Sequence, residues 1–227
     1  MIAKICVSIL PETSTEASNL VEKIGNYKAD FVEVRLDRFK DFGKLADIAE
    51  NSKMPLIATN RSWNCQGKFV GSKTQSEQIL LNAAKNGFEY VDIELSTPKL
   101  KNVIMKLRQL GVKPIISFHD FDGTPSLAKL HKVLEKEIEN GAEVCKIITT
   151  AKRVEDNLTV LDFVSKASGN AKIVCFSMGE LGKPSRLLSP FFGAFFTIAS
   201  LKRGKETAPG QLTIQEMKTA YQALGLM

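Results

Sequence analysis

The feature that most restricts this chain is a rhythm. Short apolar runs rich in β-branched and aromatic residues recur at roughly 22- to 33-residue intervals, with helical patterns between them. The runs cover residues 2–9, 31–36, 56–60, 90–95, 114–118, 143–149, 171–177 and 194–199. Successive strands separated by one helix each pair in parallel through right-handed crossovers. Eight such units in 227 residues fit a closed ring better than an open sheet. The expected fold class is α/β, a single (β/α)8 TIM barrel of eight parallel strands with outer helices. No Gly/Ser- or Pro-rich stretch offers a linker, so residues 1–227 are read as one domain. A doubly wound open sheet is the alternative.

The helices are marked by their ends. Ser126 opens one that carries Leu127, Leu130, Leu134 and Ile138 on a single face, and Gly141 closes it. Thr213 and Glu216 form a T-x-x-E capping box before the last helix.

The net charge of +6 and pI near 9.1 suit a small anionic ligand. The basic residues are dispersed, and the densest cluster, Lys202-Arg203-Gly204-Lys205, is short and has no aromatic interleaving, so no nucleic-acid partner is expected. The four cysteines, Cys6, Cys65, Cys145 and Cys175, lie far apart without metal-ligand spacing, and three sit inside apolar runs as small hydrophobes. The opening MIAKICVSIL reads as a strand at once, not as a signal peptide, and FFGAFFTIASL is too short to span a bilayer. A reducing, cytoplasmic setting without a membrane partner is expected.

Charges fall where a barrel makes them costly. Both faces of such strands are covered, yet Glu33, Arg35 and Asp37 alternate along the second run and so share one face. Arg61 follows the third run, Asp92 and Glu94 share a face of the fourth, His119 follows the fifth, and Lys146 lies within the sixth. Polar groups at C-terminal strand ends are where barrels build active sites.

Lys146 stands in the apolar GAEVCKIITT, where a snorkelling route to water is poor. Burial and nearby cations such as Arg35 are expected to lower its pKa and free an amine for attack on a carbonyl. A protonated imine then serves as the electron sink, making Lys146 the candidate nucleophile of a lyase. Of the two histidines, His131 lies at the edge of a helix face and reads as a packing residue, whereas His119 at a strand end reads as the proton carrier. No H-x-H, H-E-x-x-H or carboxylate-rich loop offers a metal site, and no G-x-G-x-x-G holds a dinucleotide. The expectation is chemistry with no cofactor and no metal.

Six blocks then carry a family resemblance: EVRLD at 33–37, T-x-R at 59–61, SFHDF at 117–121, K-I at 146–147, SMGELGKPSR at 177–186 and APGQ at 208–211. Together, in order and one per strand end, they resemble the type I 3-dehydroquinate dehydratases. The resemblance implies a hydro-lyase of the shikimate route that converts 3-dehydroquinate to 3-dehydroshikimate. It implies that Lys146 forms the imine and that His119 moves the protons. Arg186 would anchor the substrate carboxylate, Glu33, Arg35 and Arg61 would bind its hydroxyls and set the field around the lysine, and Thr207 and Gln211 would lie on a lid loop. The small-molecule substrate is the expected partner, and the family commonly forms homodimers.

One block departs from the pattern. The family usually carries a Glu in an E-G-G setting that pairs with the catalytic histidine, whereas here the segment reads RSWNCQGK, with Gln66 before Gly67. A neutral partner stabilises imidazolium less than a carboxylate does, so the His119 pKa is expected to be low unless another acid compensates. Asn60, between Thr59 and Arg61, is a second departure. Two other readings stay open. Gly179 and Gly182 could cradle the phosphate of a sugar-phosphate aldolase, also a lysine-imine enzyme, and a barrel of this kind could simply bind a small anion.

Overall fold

A computed structural model describes residues 3–226 of the chain. Its eight strands are β1 (Ile5–Ile9), β2 (Phe31–Arg35), β3 (Leu56–Thr59), β4 (Tyr90–Glu94), β5 (Lys113–His119), β6 (Val144–Thr150), β7 (Ile173–Met178) and β8 (Thr197–Ser200). The helices are α1 (Ser14–Gly25), α2 (Leu45–Glu50), α3 (Lys73–Lys85), α4 (Leu100–Gln109), α5 (Leu127–Glu139), α6 (Asp156–Ala167), α7 (Lys183–Leu188) and α8 (Ile214–Ala223). Every paired strand is parallel, in the order β7-β6-β5-β4-β3-β2-β1-β8. Between β7 and β8 the ring is drawn shut by the Phe195 N–H, which donates to Ile173 O at 2.7 Å. This is the nearly closed (β/α)8 TIM barrel that the rhythm predicts.

Every strand differs from its predicted run by one to three residues at one end or both, and three of the shifts matter here. Ile2, where the first run begins, lies outside the described residues, and β1 starts at Ile5. His119 is the last residue of β5, inside the ladder and not beyond it. The eighth strand starts at Thr197, because Ala194 is still turning on Ser189 O and Phe195 is making the seam bond. On α5, Ser126 caps Lys129 N as expected, but the buried stripe is Leu130, Val133, Leu134 and Glu137. Ile138 is 46% exposed, since a 3.6-residue period carries it past the barrel wall. His131 packs edge-on against Phe163 at 5.0 Å between ring centres.

Alternation along the strands builds two cores. Outward-facing residues such as Val32, Val34, Ala58 and Val91 join the helices in the outer layer. Inside, Phe31, Ile57, Tyr90, Ile115, Val144 and Phe196 form an apolar floor, with Phe31 in edge contact with Tyr90 at 5.8 Å. Two residues further along the strands the same inner face turns polar: Phe31 gives way to Glu33, Ile57 to Thr59, Tyr90 to Asp92, Ile115 to Ser117 and Val144 to Lys146. A period of two therefore stacks a charged layer directly above a greasy plug. Among the described residues, no helix is long and apolar enough to cross a membrane.

Candidate active site

Lys146 is the third residue of β6, next to Ser117 of β5 and Val174 of β7. Its buried ammonium donates to Asp92 Oδ2 at 2.7 Å and to Glu33 Oε1 at 3.2 Å. Both carboxylates are themselves fixed. Ser8 Oγ donates to Glu33 Oε2 at 2.5 Å, and Thr59 Oγ1 to Glu33 Oε1 at 2.9 Å. Ser117 Oγ donates to Asp92 Oδ1 at 2.6 Å, and Arg61 reaches the same oxygen at 2.9 Å.

This cage reverses one expectation. Burial alone would push the Lys146 pKa down, but Asp92 and Glu33 outweigh it and hold the pKa above the ordinary lysine value. Arg35 cannot act as the depressing cation foreseen from sequence, because it is spent on a two-pronged pair with Asp37 at 2.6 and 2.9 Å. The carboxylates respond in kind. Burial works to raise Glu33, yet Lys146 brings it down to about 2, and Arg61 with Lys146 drives Asp92 well below the usual range.

His119 lies at the mouth with its ring parallel to Phe121, 5.8 Å away. Its Nδ1 is 3.3 Å from Glu94 Oε1, and Glu94 also ion-pairs with Arg61. Burial, then Arg61 and Lys146, lower the His119 pKa well below the ordinary value, so the ring is neutral near pH 7. Gln66 is exposed, on a left-handed turn at φ 56°, and its side chain makes no hydrogen bond among the described residues. Gly67 beside it is required, because a Cβ there would stand 1.9 Å from Arg61 O.

Arg186 of α7 is a buried cation with no carboxylate in ion-pair reach among the described residues. Its guanidinium donates to Ile198 O at 3.2 Å and Pro209 O at 3.3 Å and lies 4.2 Å from the Phe176 ring centre, while Nε has no partner. Burial brings its pKa down to about 9, which still leaves it charged at neutrality. On the loop after β8, Gln211 Nε2 donates to Thr207 Oγ1 at 2.9 Å, and Thr207 Oγ1 donates to Ser8 Oγ at 2.8 Å. The glycine amides that a phosphate would need are engaged: Gly179 N–H donates to Pro209 O and Gly182 N–H to Gly179 O.

One cavity at the C-terminal strand ends, with about 600 Å³ of open space, gathers all eight residues given a catalytic or substrate-binding role from sequence. Glu33, Arg35, Arg61, His119, Lys146, Arg186, Thr207 and Gln211 all line it. Sequence reasoning noticed Asp92 and Glu94 as charges but gave them no role, and it passed over Ser8. The signal was present in all three, since each stands two residues beyond an inward-facing residue of its own strand.

The type I 3-dehydroquinase family model matches residues 5–227. A 3-dehydroquinate dehydratase of Methanococcus maripaludis is 35% identical over 223 residues, covering 97% of this chain and all of that one. The crystal structure of the 3-dehydroquinate dehydratase from Aquifex aeolicus superposes with a TM-score of 0.82 at 29% identity, covering 99% of this chain and 100% of that one. The type I enzyme of Clostridium difficile, solved with covalently modified comenic acid, gives 0.87 at 25% identity over 98% of this chain and 92% of that one. The chain belongs to the type I 3-dehydroquinase family.

Proposed function

We propose that this chain dehydrates 3-dehydroquinate to 3-dehydroshikimate through an imine on Lys146, without metal or cofactor, as a step towards aromatic compounds. The observation that carries the reading is one cavity holding three things together: a caged amine, a neutral imidazole and a buried guanidinium without an anion. A small polyhydroxylated keto acid supplies what each of them lacks. Its carboxylate pairs with Arg186, for which a bidentate fork is suited. Its ketone meets Lys146.

Nζ must lose a proton before it attacks, and the neutral His119 lining the same cavity is a base for it. Addition to the ketone carbon gives a carbinolamine; His119 returns the proton to its hydroxyl, which leaves as water, so that a protonated imine and a neutral His119 result. That cation takes the position of the ammonium between Glu33 and Asp92, so the cage that raises the Lys146 pKa also stabilises the iminium. His119 then removes a proton from the carbon next to the imine carbon, and the electron pair flows to nitrogen as an enamine. The imidazolium returns its proton to the neighbouring hydroxyl, which leaves as water and restores the iminium. Hydrolysis releases the enone and regenerates Lys146. Thr207 and Gln211, hydrogen-bonded to each other above the cavity, close over the substrate.

The test is to reduce the protein with borohydride in the presence of 3-dehydroquinate and to map the adduct by peptide mass spectrometry. An adduct on Lys146, with metal-independent appearance of the enone chromophore, is the expected result. Full turnover by Lys146→Ala with no trapped adduct would overturn the mechanism. Turnover of a sugar phosphate in place of 3-dehydroquinate would overturn the substrate.

A further inference from the structure

We propose that Glu94, and not the residue at position 66, is the positioning residue for His119, setting its tautomer and ring orientation. Glu94 Oε1 is 3.3 Å from His119 Nδ1, within ion-pair reach but outside hydrogen-bond geometry, and neither buried atom has a hydrogen-bond partner among the described residues. Gln66 lines the same cavity but, exposed on its left-handed turn, makes no side-chain hydrogen bond to His119 or to any other described residue. Glu94 is in turn held by Arg61, which is pinned to Asp92 at 2.9 Å and to Ser117 at 3.1 Å. The two residues end neighbouring strands, β4 and β5, tied by the Leu95 N–H to Ser117 O bond at 2.8 Å. Carboxylate and imidazole are therefore placed by rigid ladder, not by loop.

A carboxylate accepts and cannot donate, so it selects the ring form with its proton on Nδ1. Nε2 is then the basic nitrogen, on a ring that lines the cavity and whose plane is set by Phe121. The other charges facing the ring are Arg61 and Lys146, which disfavour its protonation, and Asp92 and Glu33, which favour it. Glu94 thus fixes where the proton sits while the two cations keep the ring neutral.

The inference rests on the proposed role of His119 for its catalytic meaning, but its first test is independent of turnover. The chain has two histidines, so nitrogen NMR of imidazole-labelled protein gives two resolvable rings. Near neutral pH the wild-type His119 is expected as the Nδ1–H tautomer. Glu94→Gln, whose amide donates to Nδ1, is expected to switch it to Nε2–H. An unchanged His131 signal, from the ring packed on Phe163, reports that the variant is folded. In the dehydratase assay kcat is expected to fall on the order of 10²–10³-fold with KM little changed, and Glu94→Asp to restore the Nδ1–H tautomer with part of the rate. A Glu94→Gln protein that keeps the Nδ1–H tautomer overturns the proposal, as does one that switches tautomer but turns over at the wild-type rate. Lack of any turnover by the wild type, with the tautomer switch intact, overturns the functional reading and leaves the positioning role standing.

Discussion

Replacing Lys146 by Met removes the ammonium from between two buried carboxylates while keeping the apolar stem. At an effective dielectric of about 20, the contacts at 2.7 Å to Asp92 and 3.2 Å to Glu33 are worth about 6 and about 5 kcal/mol in gross Coulomb terms. The desolvation of the ammonium, several kcal/mol, disappears with it and cancels much of that sum. What remains is the cost of leaving a buried charge uncompensated, about 3–5 kcal/mol. Arg61 still serves Asp92, so the orphan is Glu33. In the wild type Glu33 has a depressed pKa, and it contributes stability that is lost as pH falls from the ordinary carboxylate range towards about 2. In the variant burial raises the same group, so its neutral form is favoured and its contribution is lost as pH rises. Both effects narrow the gap between the proteins on acidification. Urea denaturation followed by circular dichroism at neutral pH and near pH 4.5 measures it: Lys146→Met is expected to be destabilised by about 3–5 kcal/mol at neutrality and by clearly less in acid. An equal loss at both pH values, or a gain in stability at pH 7, would refute the caged-charge reasoning.

Other consequences can be checked more simply. Because burial, Arg61 and Lys146 depress the His119 pKa, the acid limb of kcat/KM should fall below the ordinary histidine value of about 6.5; a limb at or above that value contradicts the assignment. Glu137, fully buried on α5 with only the weakly donating Cys145 thiol beside it, is pushed well above the usual range by burial. Its neutral form is the stable one, so the stability it permits is lost as pH rises. Glu137→Leu should therefore stabilise the fold by about 1–3 kcal/mol, more at pH 9 than at pH 6, in thermal melts. Arg186→Gln should lower kcat/KM by at least about 10²-fold, as loss of a desolvated charge pair implies, without lowering the melting temperature, since the free protein gives its charge no anion.

The ring of strands was legible because its signals are periodic and local. Alternation put Glu33 and Arg35 on one face, and the same rule accounts for the position of Lys146 above Val144. All eight residues singled out reached one cavity, since barrel topology collects C-terminal strand ends irrespective of sequence distance. Pairing between side chains was not legible. The pKa of Lys146 was expected to be depressed, but its direction depends on which of several strand-end charges lies within 3 Å of Nζ. Asp92 is 54 positions away in sequence, and Arg35 is withdrawn by a neighbour two residues along. The same limit hid the partner of His119, because only the register of β4 on β5 brings Glu94 to it.

The seam bears on how the molecule is made. β8 is laddered to β1 through four residue pairs, beginning with Ile5 and Thr197, about 190 positions apart, whereas towards β7 it is held by the Phe195 bond. Contacts of such long sequence separation close late, because loop entropy must be overcome before they form. During synthesis the first seven strands emerge with β1 and β7 as two bare parallel edges, the geometry most open to wrong partners. The ring cannot become a ring until β8 leaves the ribosome, and a chain released just before Thr197 carries Lys146, His119 and Arg186 but has a sheet with nothing to close it.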